Sequence, residues 1–413
     1  MASLEEAGPE LAVAFWRVLR KVRAWAETPS EERAGLFAIN KKEACERLGA
    51  ACGLAPGLVE AFGTFSVLVR APGRVEARQL AEACHQVHEW AEERSLIEVA
   101  MLFAEAAAFA DPDDPAWAND AGWMSRRAAR DDRAASWYHR AYGLSVRNDD
   151  RDEVFRALTG YGTLQKDLGQ NDEARRYYEK AATRAAYTGR HRRAAVAHHY
   201  LLALEAEVGD FSQAHRHANL ALNHYPIRDP QLPALAHDWA FLLVRQHHYT
   251  PAIPLLRAAL VGIQLPEILT VVWGTFARAL AGAQQRSCFE EAEKNLLPLI
   301  DQHEEYAPAA LIHLAEGARA FELWEQAEQY CRRAAEIADR RKDAIVKQDA
   351  TELLDNIVGR IQPPGEEKPT DPDRIDRIAR RLQARLSKWK APGREQPGAC
   401  VKVGIGSLMS LMG

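Results

Sequence analysis

One three-residue pattern recurs seven times and dictates most of what this chain can become. A small residue is followed four positions on by a residue that is usually large, and three further on by another that is usually small. The copies are Val99-Phe103-Ala106, Ala134-Tyr138-Ala141, Ala174-Tyr178-Ala181, Ala214-Ala218-Ala221, Ala252-Leu256-Ala259, Ala292-Leu296-Leu299 and Ala327-Cys331-Ala334. Offsets of four and three place each trio on one face of an α-helix. Small residues at the ends let a second helix approach closely, and a large one between them fills the remaining groove. Such a unit cannot bury its apolar face alone, so the copies must stack on one another. At 413 residues the chain also exceeds what one hydrophobic core usually serves. The expectation is an all-α array of helix pairs.

The stretch 158–181 shows the unit most clearly. Gly162 supplies a small residue on the first helix, Leu168-Gly169 ends it, and Ala174, Tyr178 and Ala181 follow on the second. Together with 195–226, this resembles the tetratricopeptide (TPR) repeat. Successive units are spaced by 35, 40, 40, 38, 40 and 35 residues, longer than the standard repeat of about 34. The excess lengthens helices or enlarges loops. The expected fold is a right-handed superhelix (α-solenoid) of about seven repeats over 76–361, its first helices lining a concave face.

Before the array, residues 1–74 read as an N-terminal helical cap. Leu11, Phe15, Val18, Val22 and Trp25 form the apolar stripe of a helix over 9–26. Thr28-Pro29 with Glu31 reads as a capping-box start for a second helix; a third covers 41–51 and a fourth 56–70. The segment 46–62 has the Gly-Leu turn of a helix-turn-helix, but Ala55, Pro56, Gly57, Leu58 and Val59 offer nothing to read base edges. After the array, 362–373 is a Pro-rich charged linker and 374–390 a basic amphipathic helix. Its stripe is Ile375, Ile378, Leu382, Leu386 and Trp389. Docking on the array, lying on an anionic membrane and contacting nucleic-acid phosphates are all compatible with it. Residues 391–413 read as a flexible apolar tail that could occupy the protein's own groove.

Net charge is −5, which favours neither nucleic acid nor membrane as partner. The stretch 260–277 is apolar but broken by Pro266, and reads as a buried helix–turn–helix. The six cysteines are scattered, as expected of reduced thiols in a cytoplasmic protein. Nine of fourteen histidines lie between His191 and His248 and read as mostly solvated or groove-lining. His85 and His88, with Glu92, have helical metal-ligand spacing but no HExxH and no cysteine partner. No nucleophile elbow, P-loop or dinucleotide fingerprint is present. No catalytic residue, metal or cofactor is expected, and the chain is read as non-enzymatic.

The candidate peptide-binding residues lie on the first helices. They are Asn119, Trp123, Arg126 and Arg127; Arg156, Thr159, Thr163 and Lys166; His199 and Glu207; and His237, Phe241 and Arg245. Amides and guanidiniums suit the carbonyls or C-terminus of an extended peptide, and aromatics suit its side chains. Repeats near 40 residues after a helical N-terminal region are similar to bacterial intracellular peptide-pheromone receptors of the Rap and PlcR type. That resemblance implies a short peptide held near Asn119 and Arg156, with a change of superhelical pitch on binding. It does not extend to a DNA-binding N-terminus. The TPR carboxylate clamp is also unmatched, since Asn119 and Trp123 stand where it needs Lys and Asn. The expected partner is a protein or peptide segment, with a homodimer through the array ends left open.

Overall fold

The structure is a computed structural model that describes residues 2–39, 41–263, 265–341, 343–367 and 372–386. Among these residues there are nineteen α-helices and no strand. The chain divides after Ala181 into two compact units.

The first unit begins with α1 (Pro9–Glu27), α2 (Lys41–Leu54) and α3 (Val59–Arg70). Then come the hairpins α4 (Ala77–Glu92) with α5 (Ile97–Ala110), α6 (Pro115–Arg127) with α7 (Asp131–Arg147), and α8 (Arg151–Asp167) with α9 (Asn171–Tyr187). The stripe on α1 is buried throughout, and Phe15 meets Phe103 of α5 edge-on at 5.1 Å. The helix expected after Thr28-Pro29 does not form. Thr28 Oγ1 donates back to Ala24 O at 2.6 Å, and Arg33 Nε takes the carbonyls of Trp25 and Thr28 while its guanidinium lies 3.6 Å from the Trp25 ring. Both residues are thus engaged in closing α1, and only a 3-10 turn, Arg33–Gly35, follows.

The second unit holds α10 (His191–Val208) with α11 (Phe211–His224), α12 (Leu232–Arg245) with α13 (Tyr249–Gly262), α14 (Pro266–Gly282) with α15 (Arg286–Gln302), and α16 (Ala307–Ala320) with α17 (Trp324–Arg341). After them come α18 (Ala344–Val358) and α19 (Pro372–Leu386). Pro266 opens α14, so the apolar stretch around it is the bend between two buried helices. No helix among the described residues is long and apolar enough to cross a membrane.

All seven trios fall on the second helix of a hairpin, and every residue in them is at most 5% exposed. The sixth is offset: α15 starts one turn earlier than its counterparts, and Phe289 is buried where they carry alanine. The extra length of the repeats has two sources. Between the second and fourth trios it lies in helices of 17 and 18 residues joined by short turns. Between α11 and α12 the helices have only 14 residues each and a loop over 225–231 makes up the difference.

Each hairpin turns on a single left-handed residue: Ser95, Ala129, Gly169, Gly209, His247, Gln284 or Glu322. In six of the seven, the next amide bonds back to a carbonyl five residues earlier, as in Gln285 N–H to Leu280 O at 2.9 Å. This is the Schellman closure, which satisfies carbonyls that the helix end would otherwise leave orphaned. Only two of the seven positions carry glycine, so the others hold a side chain in a conformation that costs about 1–2 kcal/mol. Gln284→Gly and Glu322→Gly should each stabilise the protein by up to about 1 kcal/mol, read as a raised urea midpoint; a lowered midpoint would contradict the turn geometry.

Past α18 the chain returns across the second unit. Glu367 N–H donates to His247 O at 3.1 Å, its carbonyl lies 2.7 Å from His248 Nδ1, and the Glu366 carboxylate accepts from the amide and hydroxyl of Thr250. Residues 361–367 have no regular secondary structure but are pinned, and α19 starts inside the stretch expected to be linker. Its apolar stripe, Ile378, Leu382 and Leu386, is buried and packs on α12 and α13. Arg385 donates to Leu222 O and Tyr225 O at 2.6 and 3.0 Å, and Arg381 to Asn223 Oδ1 at 2.6 Å. A cation on the last carbonyls of α11 is favoured by its dipole. Of the three readings of the basic helix, the structure shows docking on the array. Trp389 and the tail 391–413, with its suggested self-binding, lie outside the described residues.

Candidate functional site

Within each unit, first helices of successive hairpins touch, α6 with α8 in the first and α10 with α12, α12 with α14 and α14 with α16 in the second, and polar side chains bridge them. In the first unit Asp120 of α6 is the centre. Arg156 Nη2 of α8 reaches its carboxylate at 2.6 Å, and His85 Nδ1 of α4 lies 3.8 Å away. Glu153, capped into place by the N-terminal turn of α8, takes Arg156 on one side and Asn119 Nδ2 on the other at 2.7 Å. Asp150 starts that turn by accepting from the amides of Asp152 and Glu153. Burial would lower the Arg156 pKa, but Asp120 and Glu153 outweigh it and raise it. Arg126 pairs with Asp167 at 2.6 Å, and Arg127 with Glu92, whose own pKa is raised by burial against the pull of Arg127.

The residues expected to line the groove therefore fall into distinct environments. Asn119 is almost fully buried, and its Oδ1 has no hydrogen-bond partner among the described residues. Trp123 is half-buried, with the guanidiniums of Arg126 and Arg127 5.5 and 5.1 Å from its ring. Thr163 faces its own hairpin: its hydroxyl donates to Thr159 O at 2.9 Å and accepts from Tyr178 OH at 3.0 Å. Lys166 is half-buried and engaged.

In the second unit Asp238 plays the part of Asp120. His199 Nε2 of α10 lies 2.8 Å from its Oδ2 and His237 Nδ1 is 2.8 Å from its Oδ1, while His237 Nε2 reaches Thr275 Oγ1 of α14 at 3.2 Å. Burial alone would raise the Asp238 pKa; the two imidazoles hold it well below the usual carboxylate range. Phe241 packs edge-on against His313 of α16 at 6.1 Å, and Arg245 Nη2 donates to Glu207 O at 3.2 Å. The other histidines depart from expectation. Of the nine between His191 and His248 only His191 is exposed, because narrow alanine-rich faces leave slots that flat rings fill. His198 and His217 stack at 5.3 Å.

Sequence reasoning missed the acidic halves of these bridges, Asp120, Glu153, Asp167 and Asp238. Asp120 and Asp238 stand next to Asn119 and His237, so widening the groove positions by one residue would have found them. It also missed Arg278 and Arg319. They share Glu316 at 3.6 and 3.5 Å, both too long for a hydrogen bond, and the buried Nε of Arg319 and Nδ1 of His313 have no hydrogen-bond partner among the described residues. His313 is held well below the ordinary imidazole pKa by burial and by the nearby Arg278. The described residues contain no His, Cys, Asp and Glu group able to hold a metal.

No protein-family model matches the chain, and no curated protein sequence does. Among solved structures it is similar to a Rap protein complexed with competence and sporulation factor, at 12% identity and TM-score 0.46, over 85% of this chain and 99% of that one. It is likewise similar to a tetratricopeptide repeat protein from Parabacteroides merdae, at 14% identity and TM-score 0.41, over 67% and 98%. Cut9–Hcn1 of the APC/C matches at 14% identity and TM-score 0.48, over 84% of this chain and 62% of that one. The likeness is one of helical-hairpin plan.

Proposed function

We propose that this chain is a non-enzymatic protein-interaction scaffold whose second unit recognises an extended, carboxylate-bearing peptide segment. The observation that carries this reading is how residues 366–367 are held. An extended acidic stretch of the chain's own backbone lies across the α12–α13 turn, bonded through main-chain groups and through the Glu366 carboxylate. Main-chain bonding gives affinity without demanding a sequence, and side-chain anchors add selectivity. The side chains of Arg278 and Arg319 carry about five N–H donors each, yet neither guanidinium makes a hydrogen bond among the described residues. A carboxylate from a partner would give them the short, charge-assisted contacts that Glu316 does not.

Fluorescence anisotropy with a labelled Glu-rich peptide and its Lys-rich counterpart tests this. The acidic peptide should bind, the basic one should not, and Arg278→Gln should weaken the acidic one about tenfold, which is about 1.4 kcal/mol. Equal binding of both peptides, or none, would overturn it. A second reading, a peptide-responsive regulator, is favoured by the bridges themselves. Asp120–Arg156 and His199–Asp238 tie one hairpin to the next, so a ligand that competes for them would respace the hairpins. A change in radius of gyration at peptide saturation supports it, and none counts against it.

A further inference from the structure

The first unit contains a half-open cavity of about 490 Å3 between α1, α2 and α3, within the range of small-ligand sites, about 300–1,000 Å3. Its origin is visible in the sequence of α2. That helix buries only Leu48 and Ala51, and its inward positions include Ala44 and Ala50. Short side chains stand off from α1 and leave space that larger ones would fill. The walls are apolar: Val13 and Val18 of α1, Leu48 of α2, and Phe65, Leu68 and Val69 of α3. The lining stripe of α1 runs from Pro9 to Lys21, about 18 Å at 1.5 Å per residue. The space is therefore long as well as apolar.

Its charged lining is one-sided. Arg17, Lys21 and Arg47 border it against a single carboxylate, Glu10. Arg47 is paired with Glu43. Arg17 and Lys21 are in no ion pair among the described residues, and Lys21 Nζ lies 4.1 Å from the centre of the Phe37 ring. Burial lowers the Lys21 pKa, and nearby Cys45 opposes that; a half-buried ammonium without a counter-ion is a place where an anion is welcome.

We propose that this cavity binds a single acyl chain ending in a carboxylate, with the chain along the α1 stripe and the head group at Arg17 and Lys21. An apolar slot explains the chain, and unpaired cations at its margin explain the sign of the head. A neutral or cationic amphiphile fits the slot but not the charge. The cavity is lined by residues of the first unit alone, shares none with the peptide-binding residues proposed for the second unit, and stands or falls separately from them.

The test uses the full-length protein and calorimetric titration with dodecanoate, dodecanol and dodecyltrimethylammonium, all below their micellar concentrations. Dodecanoate should bind saturably at one per chain, about tenfold more tightly than dodecanol, and the cation should not bind. Lys21→Ala should remove most of the preference for dodecanoate while leaving dodecanol binding unchanged. Leu48→Trp, which fills the cavity, should abolish binding of both dodecanoate and dodecanol with the far-ultraviolet circular dichroism unchanged; Ala44→Leu serves the same purpose if that variant misfolds. Equal binding of the three amphiphiles, binding that survives both filled-cavity variants, or no saturable binding would overturn the proposal. So would saturable binding of a synthetic peptide of residues 401–413 with no dodecanoate binding, which would make the slot a peptide seat.

Discussion

Gly160→Ala should destabilise the protein by about 1–3 kcal/mol although it places the best helix former inside a helix. A Cβ at Gly160 would lie 2.4 Å from Cε1 of Tyr138, and one at Gly122 would lie 2.8 Å from Cδ1 of the same ring. The ring is 4% exposed. It is clamped between the first helix of its own hairpin and the first helix of the next, so it cannot swing away. Overpacking of a rigid aromatic costs about 1–3 kcal/mol, which outweighs the gain of about 1 kcal/mol from replacing a helical glycine. Gly143→Ala is the matched control: on α7, with nothing within 4 Å of its added Cβ, it should stabilise by up to about 1 kcal/mol. Urea unfolding of both variants reads opposite signs. The double variant Gly160→Ala with Tyr138→Ala should lose less than the sum of the two single losses, because removing the ring removes the clash. Matching signs for the two glycines would show that the hairpins are not spaced by this ring.

The second unit should lose stability as pH falls from about 6.5 towards 4. His198 is lowered to about 4, first by burial and then by the neighbouring His217, His224 and Arg216. In the unfolded chain it returns to about 6.5. Between those values the unfolded state binds a proton that the folded state does not, so stability rises with pH across the window and is fully present above it. For a dry group the difference would be about 3 kcal/mol; the half-buried position of His198 reduces this to about 1–2 kcal/mol. His313 acts in the same direction. Asp238 does not contribute here, since its stabilising effect is lost only as pH falls below the unfolded carboxylate value of about 3.9. Urea midpoints at pH 7.5 and 5.0 should differ in the native chain, and His198→Gln should narrow the gap by about 1 kcal/mol. An unchanged gap in that variant would mean that His198 is solvated.

The amino-acid sequence by itself did not show that the stretch after Thr28-Pro29 stays a 3-10 turn, but it determined the helices of the seven hairpins and which face of each second helix is buried. Those properties are written in offsets of three and four residues, which the helix reads locally. Turn positions were partly legible: Gly169 and Gly209 announce a left-handed residue, whereas Gln284 and Glu322 reach the same conformation through the Schellman closure with no warning in composition. The candidate groove residues lie on first helices of the hairpins, as the repeat spacing predicts, but their partners were not legible. Asp120 meets Arg156 across 36 positions and His199 meets Asp238 across 39, and those encounters depend on helix length, loop length and lateral register together. Tertiary structure alone decided that α19 returns to α12 and α13, that Arg278 and Arg319 share one distant carboxylate, and that α2 stands off far enough to leave a cavity. Each depends on how neighbouring helices settle against one another, and periodicity within one helix carries no information about that.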